Sequence, residues 1–341
     1  MKAAKDISQI LEMGYGFCRA KVVLTAVEFE VFTILGDRSM TAEELGATIG
    51  LHPRTVWDFF DTLVALGLLE RDGDGREARY RNTEVTGRYL HKGCPDYVGS
   101  ILEYCNDRTY KAWGELGSAL KTGRAPNGDR CGQTSIFDIL YKDPKQTERF
   151  MDAMGVMSRR NFEAFLDKFD LSRYRRLCDV GGATGLLSRL AVRRHPHLRC
   201  ISFDLPEVEP IVRNAVDADG LSDRIEIASG NFFHDPLPSA DIVTMGMILH
   251  DWGLEEKKHL VRSAYAALRP GGAFVAIENL IDEARRENVS GLIMSLNMLV
   301  EFGDAFDFTG ADFWDWCREA GFKRHEIVPL TGASSAAVAY K

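Results

Sequence analysis

The sequence predicts an α/β protein with a doubly wound, largely parallel sheet and an antiparallel last strand, preceded by a mostly α winged-helix unit. Three observations carry that reading. Short apolar runs alternate with helical patterns from Arg175 onward, and a glycine-rich turn follows the first of those runs. Before them, residues 20–90 read as helix, turn, helix and hairpin.

In the N-terminal part, Thr41 with Glu44 three residues on forms a capping box that opens a helix. A second helix is expected from Pro53 and Arg54 to Leu66, with Val56, Phe59, Phe60, Leu63 and Val64 on one stripe. The stretches 67–71 and 78–81 flank the turn-rich Asp72-Gly73-Asp74-Gly75 and complete a two-stranded wing. Winged units often read DNA, and a regulator binding a nucleoside ligand is the rival from another class. Asp58 and Asp61 on the second helix argue against it, because phosphate contact requires the opposite charge.

A Gly/Pro/Asn-rich loop, 123–132, breaks the middle of the chain, and a helix is expected over 144–169. Its Phe150, Met151, Met154, Met157, Phe162, Phe165 and Leu166 recur at helical spacing, either as core or as the wall of an aromatic pocket. The α/β series follows, with strands at 177–180, 199–203, 225–228, 242–245 and 273–277 and helices at 186–194 and 208–218. The runs 322–330 and 336–340 sit a short turn apart, as a hairpin would. Expected boundaries are 1–95 for the winged unit, 96–170 for a helical connector and pocket wall, and 171–341 for the α/β domain.

Composition narrows the function. The 341 residues carry a net charge of −8, with 45% apolar and 27% charged side chains, as in ordinary globular proteins. The acidic balance argues against coating nucleic acid or an anionic membrane, and favours a small-molecule partner. No apolar run approaches the ~18 to 20 residues that cross a bilayer, and residues 1–17 lack a signal-peptide apolar stretch, so the expected location is cytoplasmic. The seven cysteines, at 18, 94, 105, 131, 178, 200 and 317, show no CxxC and no His partner at metal spacing, so free thiols and no metal are expected.

Asp179-Val180-Gly181-Gly182-Ala183-Thr184-Gly185 lies at the strand-to-helix turn where open α/β sheets bind ligands. Glycines allow close backbone approach, and the following helix offers free N–H groups. A nicotinamide pyrophosphate site would need glycine at 183 and 186, where the chain has Ala183 and Leu186. Nineteen residues beyond Gly185, Asp204 ends the second strand, placed to accept hydrogen bonds from ribose hydroxyls.

Gly230-Asn231-Phe232-Phe233, Ile248-Leu249-His250-Asp251-Trp252, and Leu268-Arg269-Pro270-Gly271-Gly272 leading to a strand ending at Glu278 complete an ordered set of motifs. Together with Asp179–Gly185 and Asp204, these motifs resemble the plant-type (caffeic acid/acetylserotonin-like) small-molecule O-methyltransferases that use S-adenosylmethionine, including their bacterial secondary-metabolite branch. The resemblance extends through 169–174 and the winged region, covering most of the chain. It implies a Rossmann-like methyltransferase sheet, an N-terminal dimerisation domain, a homodimer and a small aromatic or polyketide-like substrate, with S-adenosylhomocysteine as product.

Carried over position by position, Asp179 and Gly181, Gly182 and Gly185 would face the methionine part of the cofactor and Asp204 its ribose. Leu205 and Phe232 would border the adenine, Trp252 would also touch the cofactor, and Asn231 stands where the family usually has Asp. Gly246 stands where plant members commonly carry Lys. His250 falls on the family's general base, a neutral imidazole near pKa ~6.5 suited to taking a phenolic proton. Glu278, 28 residues on, falls on the carboxylate that orients it. The family's Gly-Gly-x-Glu-Arg-Thr string corresponds to 303–309 here, making Asp307 the second carboxylate, one methylene shorter, with Phe308 in place of Arg. Trp113, Phe150, Met154, Met157, Met294 and Met298 are candidates for an apolar pocket, and Asn161 and Asn297 for orienting a polar substituent. Methylation at carbon or nitrogen, or a different reaction on the same scaffold, stays open from the residues alone.

Overall fold

The structure, a computed structural model, describes residues 6–126 and 144–341. Residues 127–132 of the expected loop, Cys131 among them, lie outside that range. Two compact units divide between Lys111 and Ala112.

The first unit contains α1 (Ile7–Gly14), α2 (Gly16–Glu28), α3 (Val31–Leu35), α4 (Ala42–Ile49), α5 (Val56–Ala65), α6 (Glu84–Tyr89) and α7 (Gly99–Tyr104). Its strands β1 (Met40–Thr41), β2 (Leu69–Asp72) and β3 (Arg79–Asn82) form an antiparallel sheet in the order β1-β3-β2. The capping box forms as expected: the Thr41 side chain accepts from the Glu44 N–H, and the Glu44 carboxylate accepts from the Thr41 N–H at 2.9 Å. Helix α5 starts at Val56 rather than Pro53, because the Thr55 N–H closes a turn on the His52 carbonyl at 2.9 Å. The wing gains a third strand, β1, whose two residues pair with Tyr80 and Arg79 and are too short to show a period. Phe32, Leu35, Leu45, Phe60, Leu63 and Tyr80 fill the core, and Leu102 from α7 packs against it. Residues 96–111 therefore cluster with the first unit.

The second unit is built on seven strands, β4 (Arg176–Val180), β5 (Arg199–Asp204), β6 (Ile225–Ser229), β7 (Ala240–Gly246), β8 (Leu268–Glu278), β9 (Arg324–Pro329) and β10 (Ser335–Tyr340). Their order is β6-β5-β4-β7-β8-β10-β9. Strand β10 runs antiparallel to both neighbours, with Val338 opposite Val275, and all other neighbouring pairs are parallel. This is the predicted doubly wound sheet with an antiparallel last strand.

Its helices are α8 (Leu116–Thr122), α9 (Pro144–Lys168), α10 (Leu186–Arg194), α11 (Glu209–Ala218), α12 (Leu254–Ala267), α13 (Val289–Phe302) and α14 (Gly310–Ala320). Successive residues of β8 point to opposite cores, as the strand pleat requires. Ala273, Val275 and Ile277 face the layer of Phe165, Leu187 and Val212 from α9, α10 and α11. Phe274 and Ala276 face Leu260, Val261, Phe313 and Trp316 from α12 and α14. The central strands β4 and β8 are thus buried on both sides, whereas the edge strand β9 is largely exposed. The chain order reverses direction between β4 and β7, and ligands of open α/β sheets bind beyond the carboxyl ends of strands at such a point.

Candidate active site

Two groups of residues meet the requirements of a site, and both lie beyond the carboxyl ends of the central strands. The first is the turn after β4. Gly181 and Gly185 adopt left-handed φ of 70° and 68°. Side chains are also excluded there by packing: a Cβ on Gly181 would meet Ile248 at 2.3 Å, and one on Gly182 would meet Ser202 Oγ at 2.4 Å. Ala183 is left-handed as well, at φ 48°, a strained setting for a residue with a Cβ, and its N–H donates to Asp204 Oδ2 at 2.8 Å.

The Leu205 N–H donates to the other oxygen of Asp204, also at 2.8 Å. Burial pushes the Asp204 carboxyl up to about 6, against those two hydrogen bonds. Asp179 is buried beneath the turn, its Oδ1 accepting from the Thr244 hydroxyl at 3.0 Å, and burial raises its carboxyl to about 7. A carboxylate fixed by two backbone N–H groups beside a glycine turn fits the ribose end of a nucleoside cofactor. The buried Ser202 Oγ beneath the turn, with no hydrogen-bond partner among the described residues, marks the same cradle.

An aromatic wall borders this turn's end of the sheet. Phe233 and Trp252 meet edge-to-face with centroids 4.4 Å apart, and Phe232 lies 5.7 Å from Trp252. Asn231 spends one lone pair of Oδ1 on the Phe233 N–H at 2.9 Å, leaving the other for a ligand donor. At Gly246 the space for a side chain is already filled, since a Cβ would stand 2.6 Å from the Phe162 ring. A lysine at 246 has no room here.

The second group is built on the next strand ends. After β7, Met247 turns the backbone left-handed at φ 56°, and a short 3-10 turn, Leu249–Asp251, follows. Glu278 at the end of β8 pins that turn: its Oε1 accepts from the Leu249 N–H at 2.9 Å and the Ile248 N–H at 3.2 Å. His250 is thereby pointed at two carboxylates, with Nδ1 3.4 Å from Asp307 Oδ1 and 3.9 Å from Glu278 Oε2. Its Nε2 lies 3.4 Å from Asp251 Oδ1.

Asp307 reaches the cluster because α13 stops at Gly303, φ 82°, and the chain runs back beside the segment after β8. The Ile281 N–H donates to the Phe308 carbonyl at 2.9 Å and Thr309 caps α14. His250, Glu278 and Asp307 are all buried. His250 Nδ1, Glu278 Oε2 and both Asp307 oxygens have no hydrogen-bond partner among the described residues. Burial alone would lower the imidazole pKa, but Glu278, Asp251 and Asp307 outweigh it and raise it above the ordinary imidazole value. Burial raises the Glu278 carboxyl to about 7.

The pocket candidates divide. Trp113 Nε1 donates to Asn297 Oδ1 at 2.8 Å, so these two satisfy each other. Met294 packs on buried Met298 along α13. Asn161 is tied into a polar chain, donating to Ser334 Oγ at 2.9 Å and accepting from Thr331. Phe150 and Met154 are half-buried on α9, and Met157 is 38% exposed. Sequence reasoning missed Asp251 as a neighbour of the imidazole, Phe233 as the tightest ring on Trp252, and Lys257. The last had a signal: residues 257, 260, 261, 264 and 267 form one buried stripe of α12, with Lys257 on it.

A glycine turn beside a half-buried carboxylate, and an imidazole–carboxylate cluster on a neighbouring strand end of a seven-stranded sheet, fit an S-adenosylmethionine-dependent methyltransferase. Comparison with known proteins agrees. The O-methyltransferase domain profile matches residues 113–323 and the O-methyltransferase dimerisation domain profile residues 11–92. The chain is 35% identical to the tetracenomycin polyketide synthesis 8-O-methyl transferase TcmO of Streptomyces glaucescens over 97% of this chain and 96% of that one. It is 32% identical to the N,N-dimethyltransferase OxyT of Streptomyces rimosus, covering 92% and 90%. The crystal structure of human N-acetylserotonin methyltransferase in complex with S-adenosylmethionine superimposes with TM-score 0.88 at 30% identity, over 100% and 99% of the chains. The chain belongs to the O-methyltransferase family, and its cofactor is S-adenosylmethionine.

Proposed function

We propose that the protein methylates a hydroxyl of a small aromatic or polyketide-like metabolite, with His250 as general base. The observation that carries this is the buried imidazole held 3.4 Å from Asp307 and 3.9 Å from Glu278. The resemblance to TcmO supports the polyketide class.

In this reading Asp179 and Gly181, Gly182 and Gly185 hold the amino-acid end of the cofactor, Asp204 its ribose, and Leu205, Asn231, Phe232 and Trp252 its adenine. When bound, the cofactor supplies a methyl group on a cationic sulfur. The protein supplies the rest. Asp307 and Glu278 keep the proton of the imidazole on Nδ1, so that Nε2 is the atom that takes the hydroxyl proton. Burial of the cluster excludes water, and alignment of the two reactants contributes roughly 7 to 11 kcal/mol. Trp113, Phe150, Met154, Met157, Asn161, Met294, Asn297 and Met298 remain the proposed wall of the acceptor pocket.

The enzyme works as a homodimer in this account. Helix α1 leaves Ile7 73% and Ile10 58% exposed, and Phe17, at the start of α2, is 57% exposed, an apolar face at the edge of the dimerisation profile, residues 11–92, that a second copy would cover. We place it in the cytoplasm, in keeping with the six free cysteines among the described residues. None of the described helices is long and apolar enough to cross a membrane.

A second reading, methylation of an amine, is favoured by the resemblance to OxyT. A screen of phenols, naphthols, quinones and aryl amines with labelled cofactor, read by mass, separates the two. Methylated phenols or naphthols support the proposal, and methylation confined to amines overturns it.

A further inference from the structure

Lys257 is fully buried, and the mechanism above does not use it. It sits one turn into α12, its N–H bonded to the Gly253 carbonyl at 3.0 Å. Its ammonium donates to the Trp252 carbonyl, immediately after the turn that carries His250. Nζ stands 3.7 Å from the centroid of the Phe306 ring and 6.0 Å from that of Phe308, and cations are stabilised over such faces. The charged groups acting on it come from three elements: Asp251 from the 3-10 turn, Glu278 from the end of β8, and Asp304 and Asp307 from the segment before α14. Burying a cation this completely is costly unless charge opposes it, and here the opposing charge is the catalytic cluster itself.

We propose that Lys257 is a positioning residue that acts through His250: it is the buried counter-cation of Asp251, Glu278 and Asp307, and it sets how tightly the imidazole holds its proton. Three carboxyl groups facing one imidazole, Glu278 and Asp307 among them fully buried, would, left alone, hold it as imidazolium and spoil it as a base. A fixed positive charge beside the same carboxylates offsets part of that pull. The cation also occupies the neighbourhood of Phe308, where the family resemblance would have put an arginine, so the charge arrives from α12 instead of position 308. Burial lowers the Lys257 ammonium below the ordinary lysine value, while Glu278, Asp307, Asp251 and Asp304 hold it up.

The inference rests on the reading of His250 as base, and it is tested by a property measured without turnover. His250 is titrated by nuclear magnetic resonance of 13C-histidine-labelled enzyme saturated with S-adenosylhomocysteine, in the parent, Lys257→Met and Lys257→Arg. One unit charge removed at this range in a partly polar interior is worth roughly one to two pH units. The His250 midpoint is expected to rise by about that much in Lys257→Met, a ten- to hundredfold gain in proton affinity, and to stay at the parent value in Lys257→Arg. An unchanged midpoint in Lys257→Met overturns the proposal. Should that variant fail to bind S-adenosylhomocysteine, the parent enzyme decides through its own lysine titration by 13C-lysine labelling. A buried lysine mostly charged at pH 7 supports the proposal, and a neutral one overturns it. Failure of the base reading shows elsewhere, as full turnover in His250→Ala.

Discussion

Asp307 stands closer to the imidazole of His250 than Glu278 does, 3.4 Å against 3.9 Å from Nδ1. The two carboxylates have different work. Glu278 commits Oε1 to the backbone of the turn that carries His250, whereas both oxygens of Asp307 lack any hydrogen-bond partner among the described residues. Glu278 holds the turn, and in the proposed mechanism Asp307 polarises the ring.

A substitution series separates these roles. Asp307→Asn is expected to cut turnover about tenfold or more with little change in melting temperature, since shape is kept and an ionised partner is lost. Glu278→Gln keeps an acceptor for the two N–H groups and is expected to cost less, while Glu278→Ala leaves them unpaired and destabilises by roughly 1–3 kcal/mol. Paired measurements of turnover and thermal melting check this, and equal effects of Asp307→Asn and Glu278→Gln on both would remove the distinction.

Proton accounting should accompany cofactor binding. Three facing carboxylates raise the His250 pKa and so favour the protonated ring in the ligand-free enzyme. A cationic ligand nearby favours the neutral ring. Calorimetry in buffers of different ionisation enthalpy should show protons released with S-adenosylmethionine and fewer with the neutral-sulfur product. Identical proton release for both contradicts it.

The rate should climb with pH well beyond the ordinary histidine midpoint of ~6.5. The base must be neutral, and the carboxylates hold its proton, so the acid limb moves upward from that midpoint. A profile already flat above pH 6.5 would mean the cluster does not hold the proton as described.

Asp179 gives a stability prediction. Its carboxyl is raised to about 7 by burial, above its unfolded value, so the associated stability is full below about pH 4 and lost as pH rises through 7. Asp179→Asn removes that loss. It is expected to stabilise by roughly 2 to 4 kcal/mol at pH 8 and little at pH 4.5, read by denaturant unfolding, with weaker cofactor binding. A gain equal at both pH values would point to a cause other than ionisation.

Much of this was legible in the sequence because period and spacing are local. The helix Leu186–Arg194 and the capping box at Thr41 form where the pattern puts them. The two-residue strand β1 is too short to carry a period, and the early turn at His52–Thr55 delays α5. In the site, His250, Glu278 and Asp307 were found through the family resemblance, and the structure brings them together. The filled space at Gly246 depends on Phe162, 84 residues away, and no local pattern reveals it. Lys257 was hidden for a different reason, since a charged residue on an apolar stripe reads as a solvated interruption until its neighbours are known.

The central claim is that His250 removes the acceptor proton, and single-turnover methyl transfer by His250→Ala tests it most directly. With enzyme and cofactor in excess over a phenolic acceptor found in the screen, the account predicts a rate about 10² to 10⁴ lower than the parent. Cofactor affinity should stay within a few-fold, because Asp204 and the Gly181–Gly185 turn are untouched. A His250→Ala enzyme that transfers methyl at the parent rate, independent of pH from 5 to 8, would contradict it.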